Sequence, residues 1–158
     1  MFRIGQGIDF HRFKAGRRLI LGNIEIEYEF GLEGHSDADV LIHSIMDALL
    51  GAAGLKDIGY YFPDTDEKYK NIDSGILLEN VVSLIRGKGF EIVNIDATII
   101  AQKPKILPYI DEMKTRLSSI MNITREQISI KATTTEKMGF IGRQEGIASM
   151  SVVLLRYD

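Results

Sequence analysis

Short runs rich in Ile, Val and Leu alternate along this chain with stretches whose apolar residues recur every three or four positions. Ile4 through Phe10 reads as an opening strand, and Leu19–Leu21 with Ile24–Tyr28 as a hairpin turning on Gly22-Asn23. Ser36 then starts the clearest helix. A serine N-cap is followed three residues later by Asp39, a variant of the capping box, and Leu41, Ile45, Ala48, Leu49 and Ala52 form an apolar stripe that Gly54 stops. Residues 57–73 lack any period and read as loop. Further on, the pattern predicts a helix over Ser74–Arg86 closed by Gly87 or Gly89, a strand over Phe90–Ala101 and a helix over Leu107–Ile120. A Thr124-capped helical turn over Thr124–Gln127 and strands over Ile128–Thr134 and Ile147–Leu155 complete the chain. Helices and strands alternate but hairpins intervene, which favours a two-layer α+β sandwich, a sheet packed against helices, over a doubly wound sheet.

Composition narrows what such a domain can do. At 158 residues, with three prolines and no repeat or linker-like tract, the chain reads as a single domain, 1–158. Cysteine is absent, which excludes a disulfide framework, a thiolate metal site and a cysteine nucleophile. Any transition-metal site must draw on His11, His35 and His43 plus carboxylates. The net charge is −3 and no basic run exceeds Arg17-Arg18, so a nucleic-acid surface has little support. No apolar stretch approaches the roughly 20 residues of a membrane span. The N-terminus has neither signal-peptide nor transit-peptide build, so the expected location is cytoplasmic.

Three constellations could carry chemistry. Asp9 and His11 share one face of an extended strand, and with His43 on the helix they offer three N/O ligands, leaving zinc a fourth position for substrate or water. The bland alternative is that Asp9 ends a strand and the histidines complete hydrogen bonds. Asp39, His43 and Asp47 are spaced four apart, so either carboxylate could take the second N–H of His43, or all three could line a solvated acidic face. His35-Ser36 precede the helix, whose positive end is a natural anion site, besides the capping role of Ser36. Thr133, Thr134, Thr135 and Glu136, with Lys131 and Lys137, leave a strand for a glycine-containing turn and could bind phosphate and a hard cation, or be ordinary strand material. Gly5-Gln6-Gly7 lacks the third glycine and following helix of a dinucleotide fingerprint, and there is neither a Walker loop nor a nucleophile elbow.

Six blocks, in order and covering almost the whole chain, resemble the 2-C-methyl-D-erythritol 2,4-cyclodiphosphate synthase family of the non-mevalonate isoprenoid pathway. They are Arg3–His11, His35–Val40, Asp47–Ala52, Asp57–Gly59 with Phe62–Asp66, Ala101–Lys105 and Lys131–Gly142. The resemblance implies a lyase that closes 4-diphosphocytidyl-2-C-methyl-D-erythritol 2-phosphate to a cyclic diphosphate and releases CMP. It implies zinc, one ion per subunit, on Asp9, His11 and His43, and a second divalent cation, magnesium or manganese, at Glu136. His35 and Thr134 match positions that stabilise the transition state. Ser36, Thr133 and Thr135 fall among the substrate-binding positions. Ala101, Gln102, Lys103, Pro104, Lys105, Ile106 and Leu107 match the cytidine loop. Asp57, Ile58, Gly59, Phe62, Pro63, Asp64, Thr65 and Asp66 match the segment closing over the methylerythritol end.

The same resemblance implies a mixed-sheet α+β sandwich assembled as a homotrimer with active sites between subunits. Phe140 and Arg143 match positions lining a central cavity that takes an isoprenoid diphosphate in some relatives. The chain departs from the family at Gln6, where His is frequent, and at Lys103, where a small residue is common. A non-catalytic zinc- and nucleotide-binding trimer that senses pathway intermediates and a metal-dependent hydrolase releasing CMP and a linear product are the alternatives.

Overall fold

Buried and exposed residues alternate along β1 (Phe2–Ala15) in the computed structural model, which describes residues 1–157. The helix-facing side of this strand includes Gly5 and Gly7, and their missing side chains set the packing. A Cβ on either would sit 2.0 Å from the Ala48 or Ser44 carbonyl oxygen of α1 (Val40–Ala52), so only glycine lets that helix lie directly on the strand.

Chain order continues through β2 (Leu19–Leu21), β3 (Ile24–Ile26) and β4 (Phe30–Leu32) before α1, then α2 (Ile58–Tyr61), α3 (Ser74–Gly87), β5 (Phe90–Ile100) and α4 (Ile110–Met121). It ends with β6 (Ile128–Thr133), α5 (Gly139–Gly142) and β7 (Gly146–Tyr157). The main sheet runs β4-β1-β7-β5-β6, antiparallel except for the parallel pair β5–β6, with β2–β3 as a separate hairpin. The sheet is therefore mixed. Helices α1, α3 and α4 cover one face around a single apolar core. The opposite face of β1 and β7 presents Ile4, Ile8, Phe10, Met150 and Val152 uncovered, with Ile8 directly across from Met150. No described helix is long and apolar enough to cross a membrane.

The α+β layering agrees with the pattern of the sequence, and differences concentrate at element ends. β1 and β7 extend past the predicted Phe10 and Leu155, and β4, three residues long, pairs with the far end of β1. The 57–73 segment contains α2 and a 3-10 turn at Glu67–Tyr69, single turns too short to show a period and capped by Asp57 and Asp66. Leu107–Tyr109 is likewise a 3-10 turn leading into α4.

The largest correction falls at the start of α1. Its N-cap is Asp39, not Ser36, because Ala38 adopts a left-handed φ of 59° and the chain turns there before the helix begins. The Asp39 carboxylate accepts from Ile42 N at 3.1 Å and also from Gly22 N and Asn23 N at 3.0 and 2.7 Å, pinning the hairpin turn to the helix. It is fully buried, and burial together with the negative charge of Asp37 raises its carboxyl to about 7.

Candidate functional site

The period of β1 puts Asp9 and His11 on the helix-facing side, and the first turns of α1 bring His43 against them. Asp9 Oδ2 lies 2.9 Å from His11 Nε2 and 3.1 Å from His43 Nδ1, and the two nitrogens are 3.2 Å apart. These separations fit one face of a tetrahedron, because ligands at about 2.0–2.1 Å from a common ion are about 3.3 Å from one another. The proton inventory agrees. His11 Nδ1 lies 2.6 Å from the Glu33 carbonyl oxygen, which can only accept, so the proton sits on Nδ1 and Nε2 turns a lone pair inward. Two imidazole nitrogens and a carboxylate oxygen this close form a donor set that could hold a metal ion.

Without a metal, hydrogen bonds hold the three groups together. Burial alone would raise the Asp9 carboxyl, but hydrogen bonds from His11 and His43 and their charge bring it down to about 2. Burial opposes protonation of His11, yet the Asp9 hydrogen bond and charge hold it above the ordinary histidine value. On its other side His43 Nε2 meets Ser74 Oγ at 3.1 Å and Ser36 Oγ at 3.2 Å.

Neither predicted carboxylate partner of His43 takes that role. Asp39 turns back to cap α1, and Asp47 accepts from Ile58 N at 2.9 Å, with burial raising its carboxyl. At the start of this helix the Asp39 side chain takes Ile42 N, while His35 and Ser36 line the cleft beside it.

The triad lines a cavity of about 390 Å³ that also receives His35, Ser36, Ile58, Gly59, Phe62 and Asp64. His35 Nε2 lies 3.0 Å from the Asp66 carbonyl oxygen, tying the histidine to the loop opposite. Asp66 caps Lys68 N with its side chain, and Pro63 and Thr65 lie in the connection between α2 and the 3-10 turn. Asp57 stands just outside, exposed, capping Tyr60 N. Met46, Tyr69 and Leu77 complete the wall, and nothing in the sequence singled them out.

A second cavity, about 760 Å³, lies between the β5 exit and the β6 exit and is lined by Ala101 through Leu107, Thr133, Thr134 and Glu136, with Tyr28 as an unforeseen neighbour. The Lys103–Pro104 bond is cis. Gln102 Oε1 accepts from Lys137 N at 3.0 Å and so joins the two loops. Thr134 Oγ1 donates to Glu136 Oε1 at 3.2 Å and accepts from Glu136 N, while Thr135 Oγ1 donates to Met138 O. The two cavities share no lining residue, and His35 lines the first while Thr134 lines the second. Phe140 packs against Phe10, ring centroids 6.0 Å apart, in a third cleft, and Arg143 pairs with Glu145 at 2.6 Å.

An α+β sandwich whose first strand and first long helix converge an Asp-His-His donor set on a cleft defines a domain equipped to hold a divalent cation. The model of the YgbB family matches residues 2–156, and the chain belongs to that family. A Geobacillus thermodenitrificans (strain NG80-2) protein named 2-C-methyl-D-erythritol 2,4-cyclodiphosphate synthase is 58% identical over 156 residues, 99% of this chain and 98% of its own. A Bacillus cytotoxicus protein of the same name is 57% identical over 99% of both chains. Among solved structures, the bifunctional IspDF of Campylobacter jejuni superposes with a TM-score of 0.96 at 46% identity, covering all of this chain and 43% of that one. The CDP complex of Plasmodium falciparum IspF gives 0.88 at 38% identity, with 99% and 97% covered.

Proposed function

We propose that this chain is a single-domain cyclodiphosphate synthase of the non-mevalonate isoprenoid pathway, acting in the cytoplasm as a homotrimer. The reading rests on the convergence of Asp9, His11 and His43 within 3.2 Å at the wall of a cleft, in a chain whose relatives carry that activity in their names. The substrate would be 4-diphosphocytidyl-2-C-methyl-D-erythritol 2-phosphate and the products the 2,4-cyclodiphosphate and CMP.

The chemistry suits the residues. An oxygen of the 2-phosphate attacks the β-phosphorus, a new P–O bond forms, and the bond from β-phosphorus to the bridging oxygen breaks to release CMP. That phosphate is already a nucleophile, so the absence of Cys and of any nucleophile elbow costs nothing. The protein's task is alignment and charge neutralisation. Asp9, His11 and His43 would hold zinc and Glu136 a magnesium or manganese ion, and when bound these cations neutralise and polarise the phosphate oxygens.

His35 would donate a hydrogen bond to the diphosphate from the metal cleft and Thr134 from the second cleft. Ser36 and the Thr133–Thr135 hydroxyls would receive the remaining phosphate oxygens. The Ala101–Leu107 loop would take the cytidine; that the substrate carries a cytidine nucleotide is supported by the CDP complex of the Plasmodium relative. Residues 57–66 would enclose the methylerythritol end.

Two observations favour assembly. His35 and Thr134 lie in separate clefts, so a neighbouring copy would have to bring them to one substrate. The uncovered apolar face of β1 and β7 offers the surface for it. In a trimer, Phe140 and Arg143 would face the central cavity, open to an isoprenoid diphosphate.

Phosphorus NMR of the purified protein with the cytidylyl 2-phosphate substrate, zinc and magnesium tests the reading. Cyclic diphosphate with equimolar CMP is expected. CMP with a linear diphosphate would make the protein a hydrolase, and unchanged substrate would make it a binding protein.

A further inference from the structure

The outer nitrogen of His43 faces a chain of polar groups that the proposed reaction leaves unused. His43 Nε2 lies 3.1 Å from Ser74 Oγ, and Ser74 Oγ is in turn hydrogen-bonded to Asp37 Oδ1. The other carboxylate oxygen, Asp37 Oδ2, accepts from Ser74 N at 2.9 Å, and Asp37 Oδ1 also accepts from Asp39 N at 3.1 Å. Asp37 thus grips Ser74 through both its backbone and its hydroxyl. Ser74 is fully buried at the first position of α3 and His43 is buried on α1, so the chain links the two helices from the buried imidazole out to the half-buried Asp37.

Donor and acceptor roles along this chain can run only one way when His43 binds a cation through Nδ1. A carboxylate only accepts, so the Ser74 hydroxyl must donate to Asp37. Its lone pairs are then left for a donor, and the only proton His43 can offer is on Nε2. With the proton held there, Nδ1 carries the lone pair that points at Asp9 Oδ2 and His11 Nε2. Ser36 Oγ, the other neighbour of Nε2 at 3.2 Å, is also an acceptor for Ala38 N, but no carboxylate fixes the direction of its own hydroxyl.

We propose that Ser74 and Asp37 are positioning residues of the metal centre, a carboxylate–hydroxyl–imidazole relay that locks His43 in the tautomer and orientation that ligates. The inference rests on the reading that Asp9, His11 and His43 hold a divalent cation. Direct carboxylate–histidine–metal contacts do the same work elsewhere, and here a serine hydroxyl extends the reach of the carboxylate by one hydrogen bond.

Zinc affinity of the full-length, metal-stripped protein, measured by competition with a chromophoric chelator at constant pH, tests the relay. Zinc alone is the probe, and thermal unfolding of each metal-free variant is recorded alongside. Ser74→Ala should weaken zinc binding by about 10- to 100-fold, and Ser74→Thr, which restores the hydroxyl, should recover to within about threefold of wild type. Asp37→Asn keeps the serine but leaves one acceptor oxygen for three donors, Ser74 Oγ, Ser74 N and Asp39 N, and its amide can itself donate to Ser74 Oγ, so zinc binding should weaken by about the same factor as Ser74→Ala. It carries the test if the alanine variant does not fold.

Wild-type protein that fails to bind zinc would reject the metal reading itself. Wild-type binding with unchanged affinity in a folded Ser74→Ala or Asp37→Asn variant would overturn the relay alone. Equal losses in Ser74→Ala and Ser74→Thr would also overturn it, because packing rather than the hydroxyl would then be responsible.

Discussion

The cleft around Asp9, His11 and His43 is built from the best-packed part of the molecule, whereas the cleft around Ala101–Leu107 and Glu136 is built from loops leaving two strands. In the first, the donors sit on β1 and α1, held together because Gly5 and Gly7 let the helix lie on the strand backbone. Every polar atom there has a partner: His11 with Glu33 O, and His43 with two serines. In the second, Thr134 and Glu136 are exposed and bond chiefly to each other, on a backbone that is left-handed at Glu136 and Lys137. The first geometry is held by buried contacts, the second by exposed loop residues. Preorganisation of this kind belongs where a cation must be held at fixed donors, and open loops belong where a flexible nucleotide must enter and leave.

Removing a donor from the completed cleft should have the largest effect. His43→Ala leaves Ser36 with Ala38 N and Ser74 with Asp37 as hydrogen-bond partners, so the fold should survive, while zinc bound per chain falls to near zero. Turnover should fall by about three orders of magnitude, the equivalent of the several kcal/mol a Lewis-acidic ion contributes. Metal analysis, circular dichroism and the phosphorus NMR assay check this together. Full turnover by a zinc-free variant would refute the site.

A smaller effect should appear in the metal-free protein as a function of pH. The folded Asp9 carboxyl, at about 2, lies below its ordinary 3.8, so its contribution is present above pH 3.8 and lost as pH falls toward 2. The gap is worth about 2 kcal/mol. His11 runs the other way. Raised above its ordinary 6.5, it contributes fully below pH 6.5, and this is lost as pH climbs through its folded value. Urea midpoints of wild type relative to Asp9→Asn should therefore show a plateau between about pH 4 and 6 with a decline on either side. A flat difference across that range would mean the three groups are not coupled as the geometry requires.

The same contrast explains what could be read from the residues alone. Asp9 and His11 share a face because strands have a period of two, a local rule, and that pairing holds. The stripe on α1 and the capped turn at Thr124 are local too, and both are present. The start of α1 was misread because Ser36 and Asp39 are both good caps, and nothing in the sequence signals the left-handed Ala38 that decides between them. Ser74 was missed because its contact with His43 spans 31 residues and exists only once α3 packs on α1. In the second cleft the Ala101–Leu107 side is legible only through the family blocks, while the Thr133–Glu136 side also offers hydroxyls and a carboxylate of its own. Its residues carry little signal alone, since strand exits rich in threonine are common.

Glu136→Gln should give the smallest effect on the isolated protein and the most selective one on the reaction. The side chain is exposed and its one side-chain hydrogen bond, from Thr134, is to a group that a glutamine amide oxygen can also serve. Stability should therefore stay within about 0.5 kcal/mol of wild type. Zinc affinity should not change either, because Glu136 and the donor triad line different cavities. What the substitution removes is a negative oxygen for a hard cation, and charge count is a main determinant of such affinity. The magnesium concentration that half-saturates turnover should rise about tenfold with zinc held constant. An unaltered magnesium titration would detach Glu136 from the second cation. A parallel loss of zinc would instead show that the two clefts communicate within one chain, which their separate linings argue against.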